Sequence, residues 1–463
     1  MKRVTTILAA GLLGLLGTAL AHADVPELMT SVAAKAAGAL ANVEFDVENE
    51  LGRSKAAGTG ICIHANGTLL TTALDVFTPP RMIKGIRIVL PGKERKTLEA
   101  KLLGIDRQTG VTFVQATSEH KWSVVRFARR TNLTVGQTVV SVGLMGPNLG
   151  YQSYLGVAHV SAVLRAPGDL VYVTGGELGG VGSPVFTPDG LAVGIVRRQL
   201  YQSYQMLVNR QVASVGLSGM ERTVFFVPVE EFVQALENIP SDGKVRRRSW
   251  IGVTRFLPLP KNMADIAKIT VPAVILGKVV DGTPASKAGL RDGDYVIAMN
   301  DKGVEEFASP QTVAQNFTDQ IERMKAGTKI SLTIAGSMGR RTINDVDVQP
   351  WPMRPQEAAQ YFDRALGMVM REKILLDEYA DEAPAKEDGL IVLLVAPDGP
   401  AAQGELRRGD LVVGINGTNV KTVPEVRKLI TDALTRSPTK AITLMVKRGA
   451  LSEAITIQPP SSR

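Results

Sequence analysis

The sequence predicts a mainly β amino-terminal domain followed by two small α+β domains of one kind. From Asn42 to about Thr223, short β-rich runs are separated by Gly, Pro, Asn and Asp, the pattern of an all-β barrel or sandwich. The chain then repeats itself. DGTPASKAGLRDGDYVIAMN (281–300) returns as DGPAAQGELRRGDLVVGIN (398–416), pairing Pro284 with Pro400, Leu290-Arg291 with Leu406-Arg407, and Gly293-Asp294 with Gly409-Asp410. A period of about 116 residues is too long for a solenoid and fits a duplicated small domain. The length of 463 residues agrees with three domains of ~150 each.

Each segment has its own signal. Lys2-Arg3, the apolar run Val4 to Leu20 and Ala21-His22-Ala23 have the layout of a secretory signal peptide over 1–23, with cleavage leaving Asp24 first. An uncleaved anchor is the alternative, although the run is near the lower limit for spanning a bilayer. Residues 24–41 are alanine-rich and helical in character, with Pro26 tolerable near the start. Asn66-Gly67 between two apolar runs marks a hairpin. Thr223–Val229 gives a last strand, and Glu230–Asn238 a closing helix. Lys244, Arg246, Arg247 and Arg248 follow the turn Pro240–Gly243 and read as a solvated basic linker, 241–249; contact with an anionic membrane surface is the sharper alternative. The expected domains are thus 24–240, 250–350 and 351–460.

Composition narrows the function classes. Net charge is +8, a modest excess for this length, and no aromatic interleaving or motif points to nucleic acid. The single cysteine, Cys62, excludes an internal disulfide and reads as a small core residue. No clustering of His and Cys suggests a metal site, and no cofactor is expected.

The chemistry is carried by Gly179–Gly190, GGVGSPVFTPDG, with Gly58–Val76, GTGICIHANGTLLTTALDV, and Gly104–Gln115, GIDRQTGVTFVQ. These segments resemble the GNSGGP nucleophile loop, the GSG…DG…ILTNNHVV segment and the GxDxxxDIALIQ segment of the HtrA/Deg family of secreted serine proteases. The resemblance implies a chymotrypsin-like double β-barrel over about 200 residues. It places the general base at Leu74, the orienting acid at Gly110 and the nucleophile at Val181. None of these side chains can act as acid, base or nucleophile. The backbone of Gly179 and Val181 could still form an oxyanion hole. Loss of a whole triad costs roughly a millionfold in turnover, while the oxyanion hole and binding alone leave about 10³–10⁴ over water.

A rebuilt triad would need Ser183 with a histidine. Ser183 sits two residues past Val181, at the second glycine of the family turn. The histidines are His22 in the signal segment, His64 at the hairpin, His120 in a polar loop and His159 in a strand-like run; each reads as a structural or surface residue.

The repeated motif resembles PDZ domains, which take extended or C-terminal peptides by adding a strand to a sheet edge. Two copies after a protease-like domain is the layout of the larger HtrA/Deg members. The family's carboxylate loop, GLGF, matches Trp250-Ile251-Gly252-Val253 in the first copy and Ala365-Leu366-Gly367-Met368 in the second. In the second, the acidic segment Asp377–Glu387 could cover the groove. The resemblance implies a secreted or periplasmic pseudoprotease of the bacterial envelope. It would bind unfolded or C-terminal peptides as chaperone, adaptor or scaffold, and assemble as a trimer. A serine endopeptidase with a rearranged site is the second reading, and a regulatory partner of an active homologous protease the third.

Overall fold

The computed structural model describes residues 25–49, 52–74, 78–164, 168–197, 204–208, 211–215, 224–336, 339–379 and 387–460. The expected signal segment with His22, and most of the acidic segment 377–387, lie outside them. The described residues fall into two compact units, one within 25–46, 55–74 and 85–246, the other within 47–54, 78–84 and 247–460. Among the described residues no helix is long and apolar enough to cross a membrane.

In the first unit, α1 (Val25–Ala37) leads into β1 (Leu40–Asn49), β2 (Gly52–His64), β3 (Thr68–Thr71), β4 (Ile83–Val89), β5 (Thr97–Asp106) and β6 (Val111–Ala116). These strands run in the order β5-β4-β1-β2-β3-β6, and β5 also pairs with β6, closing a barrel. Asn66 makes the β2–β3 turn as the sequence suggests: its Oδ1 accepts from the Thr68 N–H and hydroxyl. Phe45, Ile61, Leu69, Leu70 and Phe113 are each fully buried; the register puts Ile61, Leu70 and Phe113 on one face of the sheet and Leu69, with Cys62 and Val114, on the other.

A second barrel follows from β7 (Thr138–Leu144), β8 (Ser153–Leu164), β9 (Leu170–Thr174), β10 (Pro184–Phe186) and β11 (Ala192–Val196). After the small hairpin β12 (Tyr204–Val208) and β13 (Gln211–Val215), β14 (Val224–Pro228) closes it in the order β10-β11-β14-β9-β8-β7. Strand β8 shows the period of two that barrels require: Ala158 and Val160 are buried while Leu155 and His159 face out. Helix α2 (Val233–Glu237) and β15 (Lys244–Arg246), which pairs parallel with β5, end the unit.

The second unit opens with β16 (Ser249–Trp250), β17 (Phe256–Pro258), α3 (Lys261–Ala267), β18 (Val274–Leu276), α4 (Pro284–Lys287), β19 (Tyr295–Met299), β20 (Lys302–Gly303), α5 (Pro310–Glu322), β21 (Lys329–Gly336), β22 (Gly339–Asp347) and β23 (Gln349–Pro350). It continues with β24 (Gln360–Asp363), β25 (Met368–Glu372), β26 (Leu390–Val395), α6 (Pro400–Gln403), β27 (Leu411–Ile415), β28 (Thr418–Asn419), α7 (Val423–Arg436), β29 (Ile442–Arg448) and β30 (Leu451–Ile457). Two larger sheets form, β17-β18-β19-β21-β22 and β24-β25-β26-β27-β29-β30, beside the two-stranded pair β16-β23. Ser309 caps α5, and Thr422 with Glu425 forms a capping box on α7.

The sequence repeat is a repeat of hydrogen bonds. Asp294 and Asp410 each accept from the amide three residues earlier, Arg291 and Arg407. Asn300 and Asn416 each accept through Oδ1 from the sheet, at Ser331 N–H and Thr443 N–H. Arg341 pairs with Asp294 as Arg448 pairs with Asp410.

The expected solvated linker is instead a run of ion pairs. Arg246 Nη1 reaches Asp106 at 2.8 Å, Arg247 reaches Glu357 at 3.1 Å, and Arg248 pairs with Glu322. The carboxylates come from 140, 110 and 74 residues away, so local composition could not reveal them.

Candidate functional site

Residues 179–184 form a tight turn entering β10. Ser183 N–H donates to Gly180 O at 3.0 Å, Gly182 N–H to Val196 O at 2.8 Å, and Gly180 N–H to the Tyr154 hydroxyl at 2.9 Å. The N–H groups of Gly179 and Val181 donate to no group among the described residues. Gly179 is packed closely: a Cβ there would lie 2.7 Å from Ser183 Oγ and 2.9 Å from Ser141 Oγ. The Val181 side chain, at the turn's apex, is 44% exposed.

The segment after β3 lies against this turn. A Cβ on Gly182 would meet Thr72 Oγ1 at 3.3 Å and Thr59 O at 3.3 Å. Leu74, two residues beyond Thr72, is 3% exposed and belongs to the apolar interior.

Gly110 ends the β5–β6 turn with φ +73°, its N–H donating to Asp106 O at 2.8 Å. That backbone favours glycine. Against it lies Arg197, the residue after β11. Its Nη1 donates to Gly110 O at 2.8 Å and its Nη2 to Thr109 O at 2.6 Å. Burial holds this guanidinium down to about 10, partly offset by the charge of Glu231. Val196 joins the two regions: its carbonyl binds the 179–184 turn, and its neighbour Arg197 binds the β5–β6 turn. Sequence reasoning missed Arg197, because nothing beside it marks a remote partner.

Ser183 is fully buried, and its Oγ has no hydrogen-bond partner among the described residues. His159 is exposed, its Nδ1 3.2 Å from Thr138 Oγ1; His64 is exposed at the hairpin; His120 sits edge-on to Trp122 with ring centroids 4.7 Å apart. The structure therefore brings none of the three into a hydrogen bond with Ser183. Cys62 is a core residue whose thiol burial pushes up to about 11. Among the described residues no group of His, Cys, Asp and Glu could hold a metal ion.

The two short loops of the second unit use their carbonyls alike. Ile251 O and Leu366 O accept from Ala285 and Ala401 N–H, and Gly252 O and Gly367 O from Val280 and Ala396 N–H. Gly252 (φ +101°) and Gly367 (φ +73°) make the bend. Ile251, Val253, Leu366 and Met368 are core residues. Trp250 stacks on Trp351 with centroids 4.9 Å apart, while Ala365 is exposed. Helix α5 packs along β17, where Phe256 and Phe317 meet edge to face at 5.0 Å.

Comparison with known proteins agrees with this architecture. The profile of the trypsin-like peptidase domain matches residues 58–195, and that of the PDZ domain matches residues 391–438. A probable periplasmic serine endoprotease, DegP-like, of Rhizobium meliloti (strain 1021) is 24% identical over 413 residues, covering 84% of this chain and 73% of the relative. The protein of the same name in Pseudomonas fulva (strain 12-X) is 26% identical over 390 residues, covering 81% and 74%. Among solved structures, an HtrA-type protease with decapeptide superposes with a TM-score of 0.53 at 16% identity, covering 71% of this chain and 98% of that one. The fold is thus a trypsin-like double β-barrel followed by a PDZ domain.

Proposed function

We propose that this chain, an HtrA/DegP-like trypsin-like domain with PDZ modules behind it, binds extended polypeptide in the bacterial envelope and does not cleave it. Hydrolysis by this fold needs a hydroxyl, a base within hydrogen-bond reach and a carboxylate that orients the base. The observation that carries the reading is Arg197 on Gly110. Where the resemblance puts the orienting acid, there is a glycine in a left-handed conformation, held by a partly buried cation. Leu74 in the apolar interior and Val181 at the apex of the turn support the same reading. The unengaged N–H groups of Gly179 and Val181 support retained binding of a peptide carbonyl. The role is that of a chaperone, adaptor or scaffold, and the envelope location follows from the names of the relatives.

The test is digestion of reduced casein by the purified mature chain beside its Ser183→Ala variant. Intact casein with both proteins is the expected result. Cleavage by the wild type that vanishes in Ser183→Ala would sink the reading and establish a rearranged peptidase. Equal cleavage by both identifies a contaminant, and the assay is then read on repurified protein.

A further inference from the structure

In a PDZ domain a ligand adds antiparallel to the strand after the carboxylate loop, and the loop's N–H groups take its terminal carboxylate. In the second module that strand is β25, and its outer edge is taken. Strand β24 pairs with it antiparallel in the register Gln360↔Arg371, Tyr361↔Met370, Phe362↔Val369 and Asp363↔Met368. This direction brings Asp363 to the loop 365–368. There the Leu366 N–H donates to Asp363 Oδ1 at 2.9 Å, and the Gly367 N–H to Asp363 O at 2.9 Å. Tyr361, 4% exposed, packs in the same core cluster as Val426 and Ile430 of α7. Its hydroxyl donates to Asp363 Oδ2 at 2.8 Å, and the Arg427 guanidinium of α7 lies 5.5 Å from its ring centroid. Sheet edge, loop amides and helix face are all engaged by four residues of the same chain.

The first module is arranged differently. Its preceding strand, β16, pairs with β23, and β17 ends its sheet with no further strand outside it among the described residues.

We infer that the ligand of the second module's groove is this chain's own Gln360–Asp363 strand, with Asp363 standing where a peptide's terminal carboxylate would and Tyr361 against the helix. The inference deepens the peptide-binding reading and rests on it. A tethered ligand competes at an effective concentration on the order of millimolar. A free peptide of like chemistry, an aromatic residue two places before a terminal carboxylate, therefore reaches the first groove and is held off the second.

The test uses the full mature chain and a fluorescent peptide copying residues 354–363 with a free C-terminus. Affinity is read by anisotropy and location by hydrogen exchange. Tyr361→Gly with Asp363→Gly opens the groove. Phe362→Cys with Val369→Cys locks it, since directly opposed residues in an antiparallel pair lie at a Cα separation of about 4.5–5.5 Å, within disulfide range.

The expected result is that the opened form gains new protection over residues 366–372 at a peptide concentration at least about tenfold below the one wild type needs, given the strength of tethered competition. The oxidised locked form gains none there. The inference is overturned if wild type gains that protection at the same peptide concentration as the opened form. It is also overturned if the opened form, its β24 amides exchanging freely, takes up no more peptide at 366–372 than wild type. Should the opened form lose its core protection, the locked pair decides: uptake at 366–372 by reduced but not oxidised protein at high peptide supports the inference, and identical behaviour overturns it. Binding confined to residues 251–258 in every form, the opened one included, removes this inference alone. Binding nowhere in any form removes the peptide-binding reading and the inference with it.

Discussion

Arg197 and Gly110 are joined by a hydrogen bond of 2.8 Å from guanidinium to carbonyl, and a Cβ placed on Gly110 would come within 3.0 Å of that same Nη1. An aspartate introduced there pairs with Arg197 before it can orient anything else. Leu74→His, Gly110→Asp and Val181→Ser together should therefore leave casein cleavage at background. Adding Arg197→Ala to that triple variant should raise turnover. The expected gain is roughly 10²–10⁴-fold, the range lost when a catalytic histidine is misdirected. Release of fluorescein from labelled casein is the measurement. Full activity of the triple variant with Arg197 in place would contradict the account.

Asp106 supports the same turn from beneath. It is fully buried, its Oδ1 accepts from the Gln108 and Thr109 N–H groups, and its Oδ2 accepts from Arg246. Asp106→Ala strands two amides and a partly buried cation, so a loss of about 3–5 kcal/mol is expected. Urea unfolding followed by the tryptophan signal measures it, and a change under ~0.5 kcal/mol would be that of a surface substitution.

The framework of this site was legible in the sequence. Asn66-Gly67 made its turn where the hairpin signal stood, and Pro184 opens β10 after the glycine-rich loop. What stayed hidden depends on partners distant in sequence. Arg197 reads as one more basic residue until the β5–β6 turn meets it. The arginines 246–248 read as solvated because their carboxylates come from elsewhere. Gln360–Asp363 has no alternating pattern of its own, and its pairing is set by β25 and α7. Trp250 reads from the sequence only as the first position of a carboxylate loop; its stacking partner, Trp351, lies 101 positions later and left no local signal.

Cys62 should be inert in the native protein. The thiolate is the reactive form, and a thiol pushed up to about 11 by burial leaves roughly one thiolate in a thousand at pH 8. Raising the pH towards 11 increases that fraction. Iodoacetamide at pH 8 should leave the folded chain unlabelled and alkylate it in urea, as read by intact mass. Rapid native labelling would place the residue at the surface.

The two bending glycines should not tolerate alanine equally. Both positions carry a left-handed backbone, which costs a side chain about 1–2 kcal/mol. At Gly252 a Cβ would also lie 2.0 Å from Thr283 Oγ1, whereas at Gly367 its nearest neighbour is Ala396 Cβ at 3.1 Å. Overpacking should add about 1–3 kcal/mol to Gly252→Ala. Calorimetry of both variants tests the order; equal losses would mean that Thr283 yields freely.

The duplicated hydrogen bonds of Asp294 with Asp410, and of Asn300 with Asn416, also bear on how the chain reaches its native state. Two modules with interchangeable internal fastenings sit in one polypeptide, and strands of one can be accepted by the sheet of the other during refolding. The ends of the modules are what differ: β16 closes on β23 in the first, and β24 folds back on β25 in the second. These unlike borders identify each half to itself, so deletion of β24 should weaken that distinction and send refolding chains toward exchanged dimers.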